Sequence, residues 1–222
     1  MNPTPTFNNE AELEQMISQQ VRTWEVLDER VLSAMHTIAR ERFVPQEWLQ
    51  LAYADCPLPL QFGKHMLTPM LAGRILQALA IDTDDQVLEI GTGSGYLSAC
   101  LAALGGRVQS QELHEPLADR ARRNLKDAGI DGVEVTCTDG TKLESDSAFD
   151  AIVLTASLPI YMPRFQRALR IGGRLFVVVG TDPIMEARLI TRLGAETFSS
   201  KVLFETSLEA LENAPAPPLF RF

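Results

Sequence analysis

A short apolar stretch, Val87-Leu88-Glu89-Ile90, runs directly into Gly91-Thr92-Gly93-Ser94-Gly95 and then into a second apolar segment, Tyr96 to Leu104. Few folds accept that order: it reads as a strand, a glycine turn and a helix with no spacer between them. Glycine adopts positive φ without strain and lets the backbone come close to a ligand. The helix that follows presents free N–H groups and the positive end of its dipole to the same place. The unit suits a nucleotide-like cofactor with an anionic group.

Spacing narrows the choice of cofactor. A dinucleotide site needs G-x-G-x-x-G, the third glycine allowing close helix–strand packing. Here the spacing is G-x-G-x-G, and Tyr96 stands at the sixth place. Glu89, two residues before the first glycine, is unfavourable beside a pyrophosphate and favourable beside a cationic ligand with an amino acid end. S-adenosylmethionine (SAM) meets both conditions, whereas an NAD-dependent oxidoreductase is disfavoured. Gly91, Thr92, Gly93 and Ser94 are expected to line the cofactor, with Glu89 close to the turn.

The following segments add carboxylates. Arg107 to Leu113 reads as a strand ending in an acid, and Glu112 lies about twenty residues beyond Gly91, the separation for a carboxylate that binds ribose hydroxyls. The alternative for Glu112 is a solvated acid at a strand end. Leu113 beside it is counted with the cofactor residues. A strand from Val133 to Thr138 leads to Asp139-Gly140. Asp139 suits an adenine amino group, or equally a turn before Gly140. Strands are expected at Phe149 to Thr155 and, after a turn at Gly172-Gly173, at Arg174 to Val179. They are apolar almost throughout, as when helices cover both faces of a sheet.

The 222 residues, 45% hydrophobic and 22% charged, support one globular unit. Residues 1–80 form a helical extension with an active-site loop, and residues 81–222 form the cofactor-binding core with C-terminal strands and tail. The spacing predicts helices from Asn8 to Arg22 (Leu13, Met16, Ile17 and Val21 on one face), from Glu29 to Ala39 with Asp28 as cap, over Trp48 to Tyr53, and from Thr68 to Ala80. Pro57 to Pro69 reads as an irregular connector. Two final strands, Glu186 to Leu193 and Thr197 to Thr206, precede a proline-rich tail that ends in Phe220 and Phe222.

A net charge of -9 argues against a nucleic-acid partner. Arg120, Arg122 and Arg123 fit the solvated face of a helix. No leader pattern or bilayer-length apolar run is visible, which points to the cytoplasm and no membrane partner. Cys56, Cys100 and Cys137 form no metal set, and the latter two read as small core residues. No pattern sets an oligomeric state.

Several stretches together resemble the protein-L-isoaspartate O-methyltransferase family, from about Met16 to Arg192. They are Asp28-Glu29-Arg30-Val31-Leu32, Arg42-Phe43-Val44-Pro45, Ala52-Tyr53-Ala54-Asp55 with Pro57-Leu58-Pro59-Leu60, the glycine segment, Asp139-Gly140, Phe149-Asp150-Ala151-Ile152-Val153 with Thr155-Ala156, and Gly172-Gly173-Arg174-Leu175. The resemblance implies an α/β Rossmann-like fold with a seven-stranded, mostly parallel sheet and an N-terminal helical extension over the site. It also implies SAM as methyl donor and repair chemistry on isoaspartyl side chains of damaged proteins.

One departure bears on the acceptor. The family carries Thr-Ile-Ser, one further residue and a proline after its Pro-Leu-Pro-Ile-Gly stretch, with the serine hydroxyl at the methyl-transfer site. Here His65 stands for the threonine and Leu67 for the serine, in Gly63-Lys64-His65-Met66-Leu67-Thr68-Pro69. Thr68 offers the nearest hydroxyl, either for that role or as a helix cap. His65 reads as a base for a hydroxyl or amine acceptor, or as a simple polar contact. Asp55 is placed with Thr68 and His65 among the catalytic residues, on the loop that would serve as lid. Three functions are compatible with this: isoaspartyl carboxyl methylation, methylation of another acceptor, and SAM binding with little catalysis.

Overall fold

The structure, a computed structural model, describes residues 9–217. The Asn8 start of the first helix and the aromatic residues Phe220 and Phe222 lie outside them. Leu13, Met16, Ile17 and Val21 are all buried, as their spacing predicts. The segment that carries them is not one α-helix. α1 (Asn9–Gln15) passes into a π-helical turn over Met16–Val21 and a 3-10 turn over Arg22–Trp24. The hydroxyls of Ser18 and Thr23 donate back to the carbonyls of Glu14 and Gln19, at 2.8 and 2.9 Å. Such back-bonds compete with the helical ladder.

α2 (Glu29–Thr37) begins where Asp28 accepts the Arg30 N–H at 2.8 Å. It stops short of Ala39 because Ile38 turns extended and buries its side chain. Two 3-10 turns follow, Arg40–Phe43 and Gln46–Leu51, the second starting earlier than the expected Trp48. The connector from Pro57 to Pro69 is more regular than expected. β1 (Leu58–Pro59) pairs antiparallel with β2 (His65–Met66) around a 3-10 turn at Gln61–Gly63. The prolines hide this hairpin in the sequence, since proline is confined to strand edges. α3 (Pro69–Leu79) then begins with Thr68 as its N-cap.

The core alternates β3 (Gln86–Ile90), α4 (Tyr96–Ala103), β4 (Arg107–Glu112), α5 (Glu115–Asp127), β5 (Val133–Cys137), β6 (Phe149–Leu158), α6 (Arg164–Arg167), β7 (Leu169–Thr181), β8 (Ile184–Arg192) and β9 (Phe198–Glu205). One seven-stranded sheet holds the last seven strands in the order β5-β4-β3-β6-β7-β8-β9. β3 to β7 run parallel, while β8 and β9 return antiparallel. Gly172 and Gly173 lie inside β7 rather than in a turn before it. The strand bends there, where its pairing with β6 shifts register between Phe149 and Ala151.

Tyr96 to Leu101 of α4 are all buried, so this helix is apolar all round. The N-terminal helices make that possible, because α2 and α3 pack against α4, and α3 also packs on β6 and β7. Arg30 seals the joint by donating to the carbonyls of Ile81 and Leu104, at 2.7 and 3.0 Å. Cys100 is buried in this layer as expected, but Cys137 is exposed. β5 is an edge strand, and its outward positions meet solvent rather than core. Arg122 pairs along its own helix with Asp119 and Glu115. Among the described residues no helix is long and apolar enough to cross a membrane.

Candidate active site

The strand order reverses at β3, with β4 and β5 on one side and β6 to β9 on the other. In open α/β sheets ligands bind outside the carboxyl ends of the strands at such a switch point. Those ends carry Gly91, Glu112 and Asp139. A cavity of about 510 Å³ opens there, and Gly91, Gly93, Glu112, Leu113, Asp139 and Gly140 line it. His65, Leu67 and Thr68 form part of another wall, and residues 206–212 complete the rim.

Gly91 and Gly93 both have positive φ, 96° and 55°. They are glycines for different reasons. A side chain on Gly91 would collide with the Thr155 hydroxyl, which donates to the carbonyls of Gly91 at 2.7 Å and Ile90 at 3.1 Å. Packing against β6 fixes that position. A Cβ on Gly93 would come within 3.3 Å of Leu60, on the loop side, and the Gly93 N–H donates to Glu112 at 2.9 Å. Thr92 and Ser94 turn away from the large cavity and line a smaller one of about 40 Å³ beneath the turn. The Thr92 hydroxyl bonds that of Ser110 at 2.6 Å, and Ser94 Oγ accepts from the Tyr96 N–H at 3.3 Å.

The acids divide the work. Glu112 also accepts the His114 N–H at 3.1 Å, so two backbone donors hold its carboxylate at the end of β4. A carboxylate has about four lone-pair sites, which leaves acceptor capacity for a diol. Asp139 Oδ1 accepts from the N–H and hydroxyl of Thr141, at 3.0 and 2.6 Å, so it is a turn residue and a cavity residue at once. Its carboxyl is held below the usual range: the Thr141 and Lys142 contacts outweigh burial, itself the largest single influence and an opposing one. Glu89 is fully buried beneath the turn. One oxygen accepts from Ser110 Oγ at 2.6 Å and from Ser98 Oγ, while Oε1 has no partner among the described residues. Burial pushes its carboxyl up to about 7 against the pull of those two hydroxyls.

Thr68 Oγ1 accepts the Leu71 N–H at 3.3 Å, so the hydroxyl caps α3 and faces the cavity as well. His65 lines both cavities, and its Nδ1 is paired with Glu209. Leu67 lines both cavities with hydrocarbon only. Asp55 is not brought to this group: it is exposed, in a tight turn after the second 3-10 segment, and lines neither cavity.

Two participants escape the sequence reading. Arg40 is wholly buried and lines the smaller cavity. It donates to the carbonyls of Ala52 at 2.9 Å and Leu67 at 2.7 Å, and its guanidinium sits 4.8 Å from the centre of the Tyr96 ring. It therefore joins the helical extension, the acceptor loop and the cofactor-side helix. In the run Arg40-Glu41-Arg42 it reads as surface charge. The other is the acidic segment 206–213, which no strand or helix period marks.

A switch-point cavity behind a G-x-G-x-G turn, with acids ending β4 and β5, defines a Rossmann-like methyltransferase class of chain. A family model described as protein-L-isoaspartate(D-aspartate) O-methyltransferase matches residues 10–208. A protein-L-isoaspartate O-methyltransferase of Methanoculleus marisnigri is 42% identical over 82% of this chain and 84% of its own length. Protein-L-isoaspartate O-methyltransferase 2 of Pelobacter propionicus is 38% identical over 91% of each chain. The fold is shared with a solved Plasmodium falciparum protein described as a protein-L-isoaspartate O-methyltransferase in complex with S-adenosyl-L-homocysteine: TM-score 0.79, 19% identity, 93% of this chain and 99% of that one. The chain belongs to the protein-L-isoaspartate(D-aspartate) O-methyltransferase family.

Proposed function

We propose that this chain transfers the methyl group of SAM to the side-chain carboxylate of isoaspartyl residues, as a repair reaction on damaged proteins in the cytoplasm. The observation that carries the reading is one cavity lined along its length by groups that match the parts of SAM, in a chain matched by the family from residue 10 to 208. Glu112 would hold the ribose hydroxyls and Asp139 the adenine amino group. Glu89, which lines the smaller cavity beneath the glycine turn and whose Oε1 has no partner among the described residues, would favour a cationic donor from below, and the backbone of Gly91 to Gly93 would lie against the ligand.

When bound, SAM supplies a methyl group activated on a sulfonium. The acceptor carboxylate is already ionised near neutrality, its reference pKa being about 4. No general base is therefore required, unlike methylation of a hydroxyl or amine. The protein's task is to hold the acceptor in line with the methyl carbon, which supplies several kcal/mol. Gly63 to Pro69 and the segment after β9 exclude water from that line. The Thr68 hydroxyl, whose proton is not used by the cap, and the His65 ring are the polar groups on the acceptor side.

A second reading, methylation of a different acceptor, is favoured by one observation: Leu67 stands where the resemblance places a serine. The chemistry of the product separates the two. A methyl group placed on an isoaspartyl peptide through a carboxylate is an ester and is released by mild base. A base-stable label would place the methyl on an amine nitrogen or a hydroxyl oxygen and support the second reading.

A further inference from the structure

The chain leaves β9 at Glu205 and turns back across the mouth of the large cavity. Ser157 of β6 clasps it there. The Ser157 N–H donates to the Glu209 carbonyl at 2.7 Å, and the Leu211 N–H donates to the Ser157 carbonyl at 2.8 Å. The Ser157 hydroxyl reaches the carbonyls of Leu208 and Glu209, at 2.9 and 3.1 Å. Ser157 is fully buried, so these are strong constraints on an otherwise irregular segment.

Held in this way, the segment sets two carboxylates on the rim. Glu209 Oε1 pairs with His65 Nδ1. Glu212 Oε2 meets Lys64 Nζ at 3.0 Å and His114 Nε2 at 3.1 Å, and His114 stacks on Phe62 with ring centres 4.2 Å apart. Asn213 donates to Asp139 at 3.2 Å. The acceptor loop, the end of β4 and the turn after β5 are thereby tied to one strap. The family match stops at residue 208, so Glu209 and Glu212 lie beyond it.

We propose that Glu209 is a positioning residue for methyl transfer: it fixes His65 through Nδ1, so that Nε2 is the ring nitrogen left to contact the acceptor carboxylate, where Leu67 offers none. This rests on the isoaspartyl reading above. An imidazole protonated on both nitrogens donates from both. Nδ1–H then serves Glu209, and Nε2–H serves the acceptor oxygen that does not take the methyl. The other acceptor oxygen uses a lone pair to form the O–C bond, and the electrons of the S–C bond stay on sulfur. No proton moves, so His65 orients and does not act as a base. The pair is 40% and 44% exposed at its side chains, so it contributes direction rather than much stability.

The test uses Glu209→Gln, His65→Ala and the double variant of the full chain. Steady-state transfer to an isoaspartyl peptide is measured with SAM affinity by calorimetry and the hydrogen bonding of the His65 ring nitrogens by nitrogen-15 NMR. Each single variant is expected to raise the peptide KM about tenfold with SAM affinity unchanged, and the double variant to be no worse than His65→Ala, because coupled residues are not additive. Glu209→Gln should also shift the His65 Nδ1 resonance, because a charged acceptor on that nitrogen is replaced by a neutral one. An unchanged KM in Glu209→Gln, or additive losses in the double variant, would overturn the inference alone. A parent chain that binds SAM but leaves the isoaspartyl peptide unmethylated would overturn the acceptor reading and this inference with it.

Discussion

Glu89 combines full burial with two hydroxyl donors on one oxygen and, among the described residues, none on the other. Its folded-state value of about 7 lies above the ordinary 4.5. The folded chain therefore binds more protons than the unfolded chain between those values. Stability is highest below the unfolded value, falls as pH rises through the window, and is fully reduced above about 7. The loss is on the order of 3 kcal/mol at most, at about 1.4 kcal/mol per unit. Glu89→Gln should therefore gain stability over the parent as pH rises from about 5 to about 8. Thermal unfolding at both ends of that range checks it, and a constant difference between the two chains would remove the buried ionisation from the account. Glu112→Ala should weaken SAM binding by about 1–3 kcal/mol in calorimetry, since the hydroxyls and the Gly93 and His114 N–H groups lose their acceptor. The place of Glu112 on the cavity was legible because its distance from Gly91 sets it at the end of the next strand. Arg40 was not, because burial of a charge leaves no local pattern when its partners are carbonyls remote in sequence.

At the scale of elements, the acceptor loop is held from two sides. Thr68 caps α3 from within it, and Arg40 grips the Leu67 carbonyl from beneath. Thr68→Ala should lower stability by about 1 kcal/mol in urea titration, the ordinary value of a lost cap. Arg40→Lys keeps the charge and loses the fork that spans two carbonyls. We expect it to lower the transfer rate about tenfold with little change in SAM affinity, because the loss falls on acceptor alignment. A fall in SAM affinity of the same size would place Arg40 in the cofactor site instead. Helices with an apolar stripe and a cap, such as α2 and α3, were readable from sequence. The hairpin β1–β2 was not, since Pro57 and Pro59 read as breakers and its pairing depends on the turn between its strands. The π-helical and 3-10 continuation of α1 was equally hidden, because an apolar stripe tolerates either winding.

At the scale of the whole molecule, all seven strands of the main sheet were signalled by their residues. The central parallel strands β3, β6 and β7 carry the strongest form of that signal, long apolar runs that are largely buried, whereas β4 and the edge strand β5 alternate with polar residues. Their order is what brings Gly91, Glu112 and Asp139, far apart in sequence, to one cavity; the sequence offered the seven-stranded sheet only through the family resemblance and did not specify that order. The strap over the cavity was illegible. It owes its path to Ser157 and to charge pairs across the mouth, and its own composition suggests only an acidic tail. The most direct test of the account is transfer of a labelled methyl group from SAM to an isoaspartyl peptide, with the ordinary aspartyl peptide of the same sequence beside it. The account predicts base-labile label in the isoaspartyl peptide alone. Equal labelling of both peptides, or of neither with SAM bound to the same sample, would contradict it.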